Sequence, residues 1–325
     1  MREHESGYSA DMHAIVIDKF NEAGSVRQMP EPPLDRNAVL VRVSVAGVNP
    51  VDWKVRAGKA GERNFPLVLG QDFAGSIEAV GDGVERVTVG DRVFGCARDH
   101  GSYAEETLIP DLDKSSPFTK IPEGIDDVHA AALPTPGLTA LASLDWLEVG
   151  EGTELLVIGA AGAVGSAAVQ IARKRKAVVT AVVKPGQGDE AREFGAATVV
   201  EASGDFLDAV RSAHPKPFAA TLDLVSSGEE LQHHLPLYAK GGKLVTTIHV
   251  AEVDWFLERG IDANNIVMSE TDASSPRGLE TLAELVLTGD LRVPIASERP
   301  LTEAAKVLDE LEAGKLGGKI VLRVT

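Results

Sequence analysis

The sequence predicts an α/β protein in two parts, a doubly wound parallel sheet and an all-β module in front of it. Three observations carry this reading. After Gly150, short apolar strands alternate with helical stretches, a pattern that buries a parallel sheet on both faces. Before Pro110 the chain reads instead as short β segments parted by turn glycines. Its 325 residues leave room for about two domains.

In the first part, "HAIVID", "NAVLVRVSVAGV" and "SIEAVG" are alternating or β-rich, and "GDG" and "VGDRVFG" supply turns. From Asp126 the texture changes. "DDVHAAALPTPGLTALASLDWLEVG" is Ala- and Leu-rich and reads as helix broken at Pro-Thr-Pro-Gly. Strands are then expected over 154–158, 177–183, 198–200, 219–224, 243–248 and 265–268, with helices such as 165–174 and 189–194 between them. A helix near 278–288, a strand near 293–296, a helix over 302–313 and a strand over 319–324 complete the chain.

Composition narrows the function. A hydrophobic content of 44% and a charged content of 25% suit a packed core. The formal charge of −17 repels phosphate backbones and anionic lipid, which argues against nucleic acid and membrane as partners. Cys96 is the single cysteine, so an intrachain disulfide and a Cys-rich zinc lobe are excluded and a reducing cytoplasm is the expected setting. "MREHESGYSADMH" has no apolar signal core, and residues 1–11 read as a flexible extension. Residues 155–172 are long and uncharged enough to suggest a membrane span, but their glycines, a Gln and a strand-to-helix break oppose it.

That same stretch, "VIGAAGAVGSAAVQIARKRKAVVTAVVKPG", has the form of a nucleotide cradle. A strand turning through small residues into a helix brings N–H groups and a positive helix end against a pyrophosphate. Ala160, Gly162 and Gly165 occupy the positions of a G-x-G-x-x-G turn, with Ala161, Ala163 and Val164 between them. Gly162 allows close phosphate approach, and Gly165 allows the helix to pack on the strand. A Gly/Ala-rich packing turn is the alternative.

Lys184 stands 19 residues past Gly165, where NAD-binding folds place a carboxylate for the ribose 2′-hydroxyl. An ammonium there attracts a 2′-phosphate, so NADPH is the expected cofactor. The plainer alternative is a solvated lysine at a strand end. The run 173–176 reads as a favourable helix C-terminus.

"GVNPVDWKVRAG", "LGQDFAGSIEAVGDGVERVTVGDRVFG", "LPTPGLTAL", "GAAGAVG" and "GGKIVLRV" together resemble the medium-chain dehydrogenase/reductase superfamily, in its zinc-independent quinone oxidoreductase and alkenal/one reductase branch. The resemblance covers nearly the whole chain from Met12. It implies a GroES-like β-barrel domain over 1–125 and 271–325, a Rossmann domain over 126–270, and a homodimer. The zinc ligands of relatives fall at Asn49 and Gln71, whose amides do not rebuild an N/S site, so no catalytic zinc is expected. A quinone or conjugated enone takes hydride to give a delocalised anion, which has less need of a Lewis acid than a simple alkoxide.

By the same resemblance Asn49, Asp52 and Lys54 are the candidate catalytic residues. Asn49 orients nicotinamide or substrate, or else caps a turn. Asp52 is equally a structural cap. Lys54 stabilises an oxyanion, or else lies at the surface with its stem over Trp53. Thr135, Thr139, Val225, Thr246, Thr247, Ile248, Gly318 and Lys319 match cofactor-contact positions, and the two threonines of the helix are alternatively caps. Glu201-Ala202 stands where many relatives have a Tyr beside the 2′-phosphate. His233-His234 reads as a solvated helix end, and Tyr103 as a structural aromatic.

The expected activity is NADPH-dependent reduction of a quinone or α,β-unsaturated carbonyl. A reductase of an enoyl thioester or biosynthetic enone, and a non-catalytic NADPH-binding sensor, are the alternatives. The homodimer is expected to form through the sheet edge at 265–268, where Ile266, Val267 and Met268 make an apolar strand without proline; the alternative is a monomer whose helix near 278–288 covers that edge.

Overall fold

The β-rich first third folds as β1 (Asp11–Ile17), β2 (Ser25–Pro30), β3 (Ala38–Val48), β4 (Leu67–Val68), β5 (Asp72–Val80), β6 (Arg92–Cys96), β7 (Glu106–Pro110) and β8 (Phe118–Lys120). Helix α1 (Pro50–Arg56) follows β3. The computed structural model describes residues 11–98, 101–111 and 115–324. Of the expected N-terminal extension, only Asp11 lies within the described residues, and it already opens β1.

Helices α2 (Asp127–Ala132) and α3 (Pro134–Trp146) occupy the Ala/Leu-rich segment. The Pro-Thr-Pro-Gly sequence is not the break expected there. It forms the first turn of α3, where a proline's missing N–H has no intrahelical partner to lose, and the break falls at Leu133.

Strands and helices then alternate as β9 (Glu154–Ile158), α4 (Ala163–Lys174), β10 (Val178–Val183), α5 (Gly188–Phe194), β11 (Thr198–Glu201), α6 (Leu207–Ala213), β12 (Phe218–Asp223), α7 (Gly228–His233), β13 (Tyr238–Thr246), α8 (Val253–Leu257), β14 (Asp262–Asn265) and α9 (Pro276–Leu287). The chain ends in β15 (Ile295–Pro300), α10 (Ala304–Glu312) and β16 (Lys319–Arg323).

Two compact units result, Met1–Thr135 with Ile295–Thr325, and Pro136–Pro294. Packing explains why these bounds differ from the changes in sequence texture. Helix α2 packs on β3 and β5 and so belongs to the first unit. Helix α9 belongs to the second, where Leu282 packs so closely on Gly137 that a Cβ there would lie 2.6 Å from it.

In the first unit β15-β16-β3-β5-β6-β8 form one sheet in that order, β7 also pairs with β3, and β2-β1-β4 form another among the described residues. Val39, Val41, Val43, Phe73, Ile77, Val93 and Phe118 fill one core of this unit. The second unit is a parallel sheet in the order β11-β10-β9-β12-β13-β14. That is the Rossmann order, with its reversal between β9 and β12. Leu156, Ile158, Val182, Leu244 and Phe256 are among its buried core. Residues 155–172 are thus a strand and a helix, and among the described residues no helix is long and apolar enough to cross a membrane.

Two strands end earlier than expected. β13 stops at Thr246, and Thr247 and Ile248 lie beyond it. The last strand of the sheet is 262–265 and not 265–268, because the ladder to β13 pairs Lys243 with Asp262 and Thr246 with Asn265. Ile266 and Met268 follow the strand and are buried, so they do not form the apolar edge expected of them.

Candidate functional site

The expected positions form two groups, one in each unit. In the first unit the sheet itself assembles them. β16, β3, β5 and β6 are successive neighbours, and their register sets Asp72 opposite both Gly47 and Cys96, with Val48 opposite Ile320. Lys319, Asn49 and Asp72 therefore begin or follow adjacent strands at one end of the sheet. Gly47 makes this close approach possible: a Cβ there would fall 2.2 Å from the Ala131 carbonyl oxygen and 2.9 Å from Asp72 Cβ.

Asn49 occupies the N-cap position of α1, but its side chain faces the sheet. Asn49 Nδ2 donates to Asp72 Oδ2 at 2.8 Å, and Asn49 Oδ1 accepts from Lys319 Nζ at 2.6 Å. Lys319 Nζ also donates to the Val48 carbonyl at 3.2 Å and lies 3.4 Å from Asp72 Oδ2. Thr135 donates its hydroxyl to Asp72 Oδ1 at 2.6 Å and its N–H to the same carboxylate at 3.1 Å. A carboxylate at the head of α3 is favoured by the unpaired N–H groups there.

Asp52, at the third position of α1, accepts the Asn49 N–H at 2.8 Å and the Tyr103 hydroxyl at 2.9 Å. Its second oxygen, Oδ1, is buried without a partner among the described residues. Burial, reinforced by Asp72, pushes the Asp52 carboxyl up to about 7 against the bonds from Asn49 and Tyr103. Burial likewise lowers Lys319, although Asp72 and Asp52 oppose it, and raises Cys96 and Tyr103.

Lys54 does not join this network. It is half-buried, its ammonium has no hydrogen bond or ion pair among the described residues, and burial followed by the charge of Lys59 lowers its pKa. The cation over Trp53 is Lys59, 5.0 Å from the ring, and not Lys54. Gly318, at φ 75, precedes Lys319 in the left-handed region that favours glycine. Lys319, which follows it, is buried and takes part in the Asn49–Asp72 network.

In the second unit the cradle has a definite division of labour. Gly159, at φ 85, makes the tight turn ahead of Ala160, and the N–H groups of both residues bond to the Val182 carbonyl. Ala160 is fully buried. Gly162 is exposed, and a Cβ on it would meet nothing nearer than the Gly159 carbonyl oxygen at 3.4 Å. At Gly165 a Cβ would fall 2.3 Å from that same oxygen and 2.7 Å from Ala160 Cα, so only glycine lets α4 approach β9. Ala161, Ala163 and Val164 are half-buried around the head of α4. The open space beside the exposed Gly162 and the 12-residue helix behind it fit a pyrophosphate.

Lys184 is exposed immediately after β10, with no side-chain partner among the described residues. Glu201, at the end of the neighbouring strand, accepts the Gly186 N–H at 2.6 Å and so anchors the loop that carries Lys184. Asp223 at the end of β12 accepts the N–H groups of Val225 and Ser226 at 3.0 and 2.9 Å, turning the chain so that Val225, largely exposed, lies over Gly159. Thr246 ends β13 buried, and its hydroxyl accepts from Ile248 N. Thr247 and Ile248 are half-buried, and Thr139 is buried in α3. Asn265 fixes the segment after Ile248: its side chain accepts from Ala251 N at 3.0 Å and donates to Ala251 O at 2.9 Å. These positions cluster at the carboxyl ends of β9, β10, β12 and β13, where open α/β sheets bind ligands.

Sequence reasoning missed Asp72, Asp223 and Asn265, since each acts through contacts remote in the chain. It also misjudged His234, which is buried, its ring tilted against that of Phe206 with centroids 4.1 Å apart. His233 is exposed and pairs with Asp205 at 2.8 Å, and His234 lies 3.8 Å from the same carboxylate. Asp205 also accepts from Leu207 N, at 2.9 Å, where α6 begins.

Comparison with known proteins agrees with this architecture. The alcohol dehydrogenase GroES-like domain family matches residues 35–115, and the zinc-binding dehydrogenase family matches residues 194–322. The rat quinone oxidoreductase is 30% identical over 96% of this chain and 98% of its own. The structure of a quinone oxidoreductase from Coxiella burnetii superposes with a TM-score of 0.87 at 29% identity, covering 97% of this chain and 100% of that one. A mycobacterial protein solved in complex with NADPH superposes with a TM-score of 0.84 at 25% identity, covering 96% of this chain and 100% of that one.

Proposed function

Because the chain belongs to the medium-chain dehydrogenase/reductase superfamily, among its quinone oxidoreductases, we propose that this oxidoreductase consumes NADPH and reduces a quinone or α,β-unsaturated carbonyl without catalytic zinc. The observation that carries the reading is the cradle at Gly159–Gly165, whose open face at Gly162 suits the pyrophosphate of a nicotinamide cofactor. When bound, the cofactor supplies the hydride.

The protein's part is to bind and to stabilise charge. The head of α4 holds the pyrophosphate, and Lys184 meets the 2′-phosphate. Val225, Thr246, Thr247 and Ile248 border the remainder of the cofactor. Asn49 and Lys54 face the carbonyl oxygen of the acceptor. One Nδ2–H of Asn49 has no protein partner among the described residues, and the Lys54 ammonium is likewise uncommitted, so both are available to an oxyanion. Asn49 and Gln71 supply amides where relatives bind zinc, in keeping with an acceptor whose anion is delocalised. The compartment we assign is the cytoplasm.

The assembly we assign is a homodimer. β14 is the outermost strand of its sheet and the place where a second copy would extend it. Light scattering that gives a mass near the 34.3 kDa of one chain rejects the dimer.

Loss of NADPH absorbance is measured with 9,10-phenanthrenequinone and with trans-2-hexenal, before and after exhaustive chelation. Turnover with either acceptor that survives chelation is expected. Binding without turnover favours a sensor, and activity lost with stoichiometric zinc rejects the zinc-independent reading.

A further inference from the structure

Asp72 lies in the stretch "LGQDFAG" without a role of its own in the sequence, yet the buried polar contacts of the first unit converge on it. Its carboxylate is wholly buried at the start of β5. Oδ1 accepts from the Thr135 hydroxyl at 2.6 Å and lies 3.7 Å from the Cys96 thiol. Oδ2 is thereby turned toward Asn49 Nδ2 at 2.8 Å and Lys319 Nζ at 3.4 Å. The backbone N–H of Thr135 reaches both oxygens, at 3.2 and 3.1 Å.

The consequence concerns the terminal amide of Asn49. Such an amide has an accepting end and a donating end of nearly equal size, and a half-turn exchanges them. The ammonium of Lys319 only donates and an ionised Asp72 only accepts. Of the two orientations, one makes both bonds; the other sets N–H against ammonium and oxygen against carboxylate. In a buried site the second arrangement forfeits two charge-assisted bonds and adds two repulsions.

We propose that Asp72 is a positioning residue for the reaction: with Lys319 as its fixed counter-charge, it locks the Asn49 amide in one orientation and so aims its remaining N–H at the acceptor oxygen. The role rests on the functional reading above. Asp72 touches neither cofactor nor acceptor and acts through Asn49, with Thr135 and Cys96 holding its own carboxylate in place.

A double-mutant cycle on kcat in the full-length protein tests this. Asp72→Asn can donate as well as accept, so it no longer selects the donating end of the Asn49 amide and leaves Lys319 as the sole restraint on its orientation; it is expected to lower kcat about tenfold or more, with the Kd for NADPH changed less than about threefold. Once Asn49→Ala has removed the amide, Asp72→Asn is expected to cost no more than about a further twofold. Losses that multiply in the double variant overturn the proposal, because Asp72 would then act by another route. If Asp72→Asn fails to fold, the paired change Asp72→Leu with Lys319→Met removes both buried charges together. That protein is expected to fold and to keep the same loss of kcat; wild-type kcat in it overturns the proposal. A wild-type protein that binds NADPH but turns over neither acceptor defeats the functional reading, and the role of Asp72 with it, before any variant is made.

Discussion

The ammonium of Lys319 lies 3.4 Å from the carboxylate of Asp72, with both side chains buried. Removing one partner of such a pair strands the other charge in the interior, which costs about 3–5 kcal/mol, whereas removing both is often neutral. Lys319→Met is therefore expected to lower unfolding free energy in urea by about that amount. Adding Asp72→Leu should recover most of the loss, and a double variant no more stable than the single one contradicts this account.

Asp52 gives the protein a pH signature. Its folded pKa of about 7 lies above the ordinary 3.8, so the folded state binds the proton more tightly than the unfolded chain. The contribution of Asp52 to stability is greatest below pH ~4, falls as pH rises toward ~7, and is level beyond. Asp52→Asn stays neutral and keeps an acceptor for Asn49 N and Tyr103. Its stability relative to wild type is expected to improve by a few kcal/mol between pH ~4 and ~7.5. Denaturation curves at several pH values check this, and a pH-independent difference rejects it.

Lys184 is predicted to set cofactor preference. Loss of a charge-assisted phosphate contact costs about 1.5–3 kcal/mol. Lys184→Ala should weaken NADPH binding about tenfold or more and leave NADH nearly unchanged. Equal affinities for the two cofactors in the unmutated protein defeat this role for the lysine.

The fold was legible where local chemistry repeats. Alternation after Gly150 gave the parallel sheet, and Gly165 announced close packing of α4 on β9, in keeping with the 2.3 Å approach that a Cβ there would make. The end of the sheet was misread because "IVM" has strand character, although pairing with β13 is made by Asp262–Asn265. The polar network was invisible for a different reason. Asp72 meets Asn49 from 23 residues away, Thr135 from 63 and Lys319 from 247, and no spacing rule spans such separations. The helix start at Pro134 was hidden because proline ordinarily signals a break, yet it is well suited to a first turn.

Gly162 and Gly165 of the cradle should separate folding from binding. Gly165→Ala forces a methyl against backbone at 2.3 Å and is expected to destabilise by about 1–3 kcal/mol or more. Gly162→Ala meets its nearest neighbour at 3.4 Å and should fold normally while weakening cofactor binding. Thermal denaturation and a cofactor titration distinguish the two, and equal thermal stability in both variants contradicts the assignment.

Asn265 has an effect that is kinetic as much as structural. Its amide offers Ala251 the donor and acceptor that a neighbouring strand would offer, at 3.0 and 2.9 Å, in a segment that belongs to no strand. The turn carrying Thr247 and Ile248 is therefore tethered at both ends, by β13 on one side and by this single side chain on the other. Its ordering entropy is met when the chain folds, so a cofactor that binds there as proposed would have less disorder to remove. Cut at Asn265, the turn should exchange its amide hydrogens faster, and ligand association should become slower before it becomes weaker.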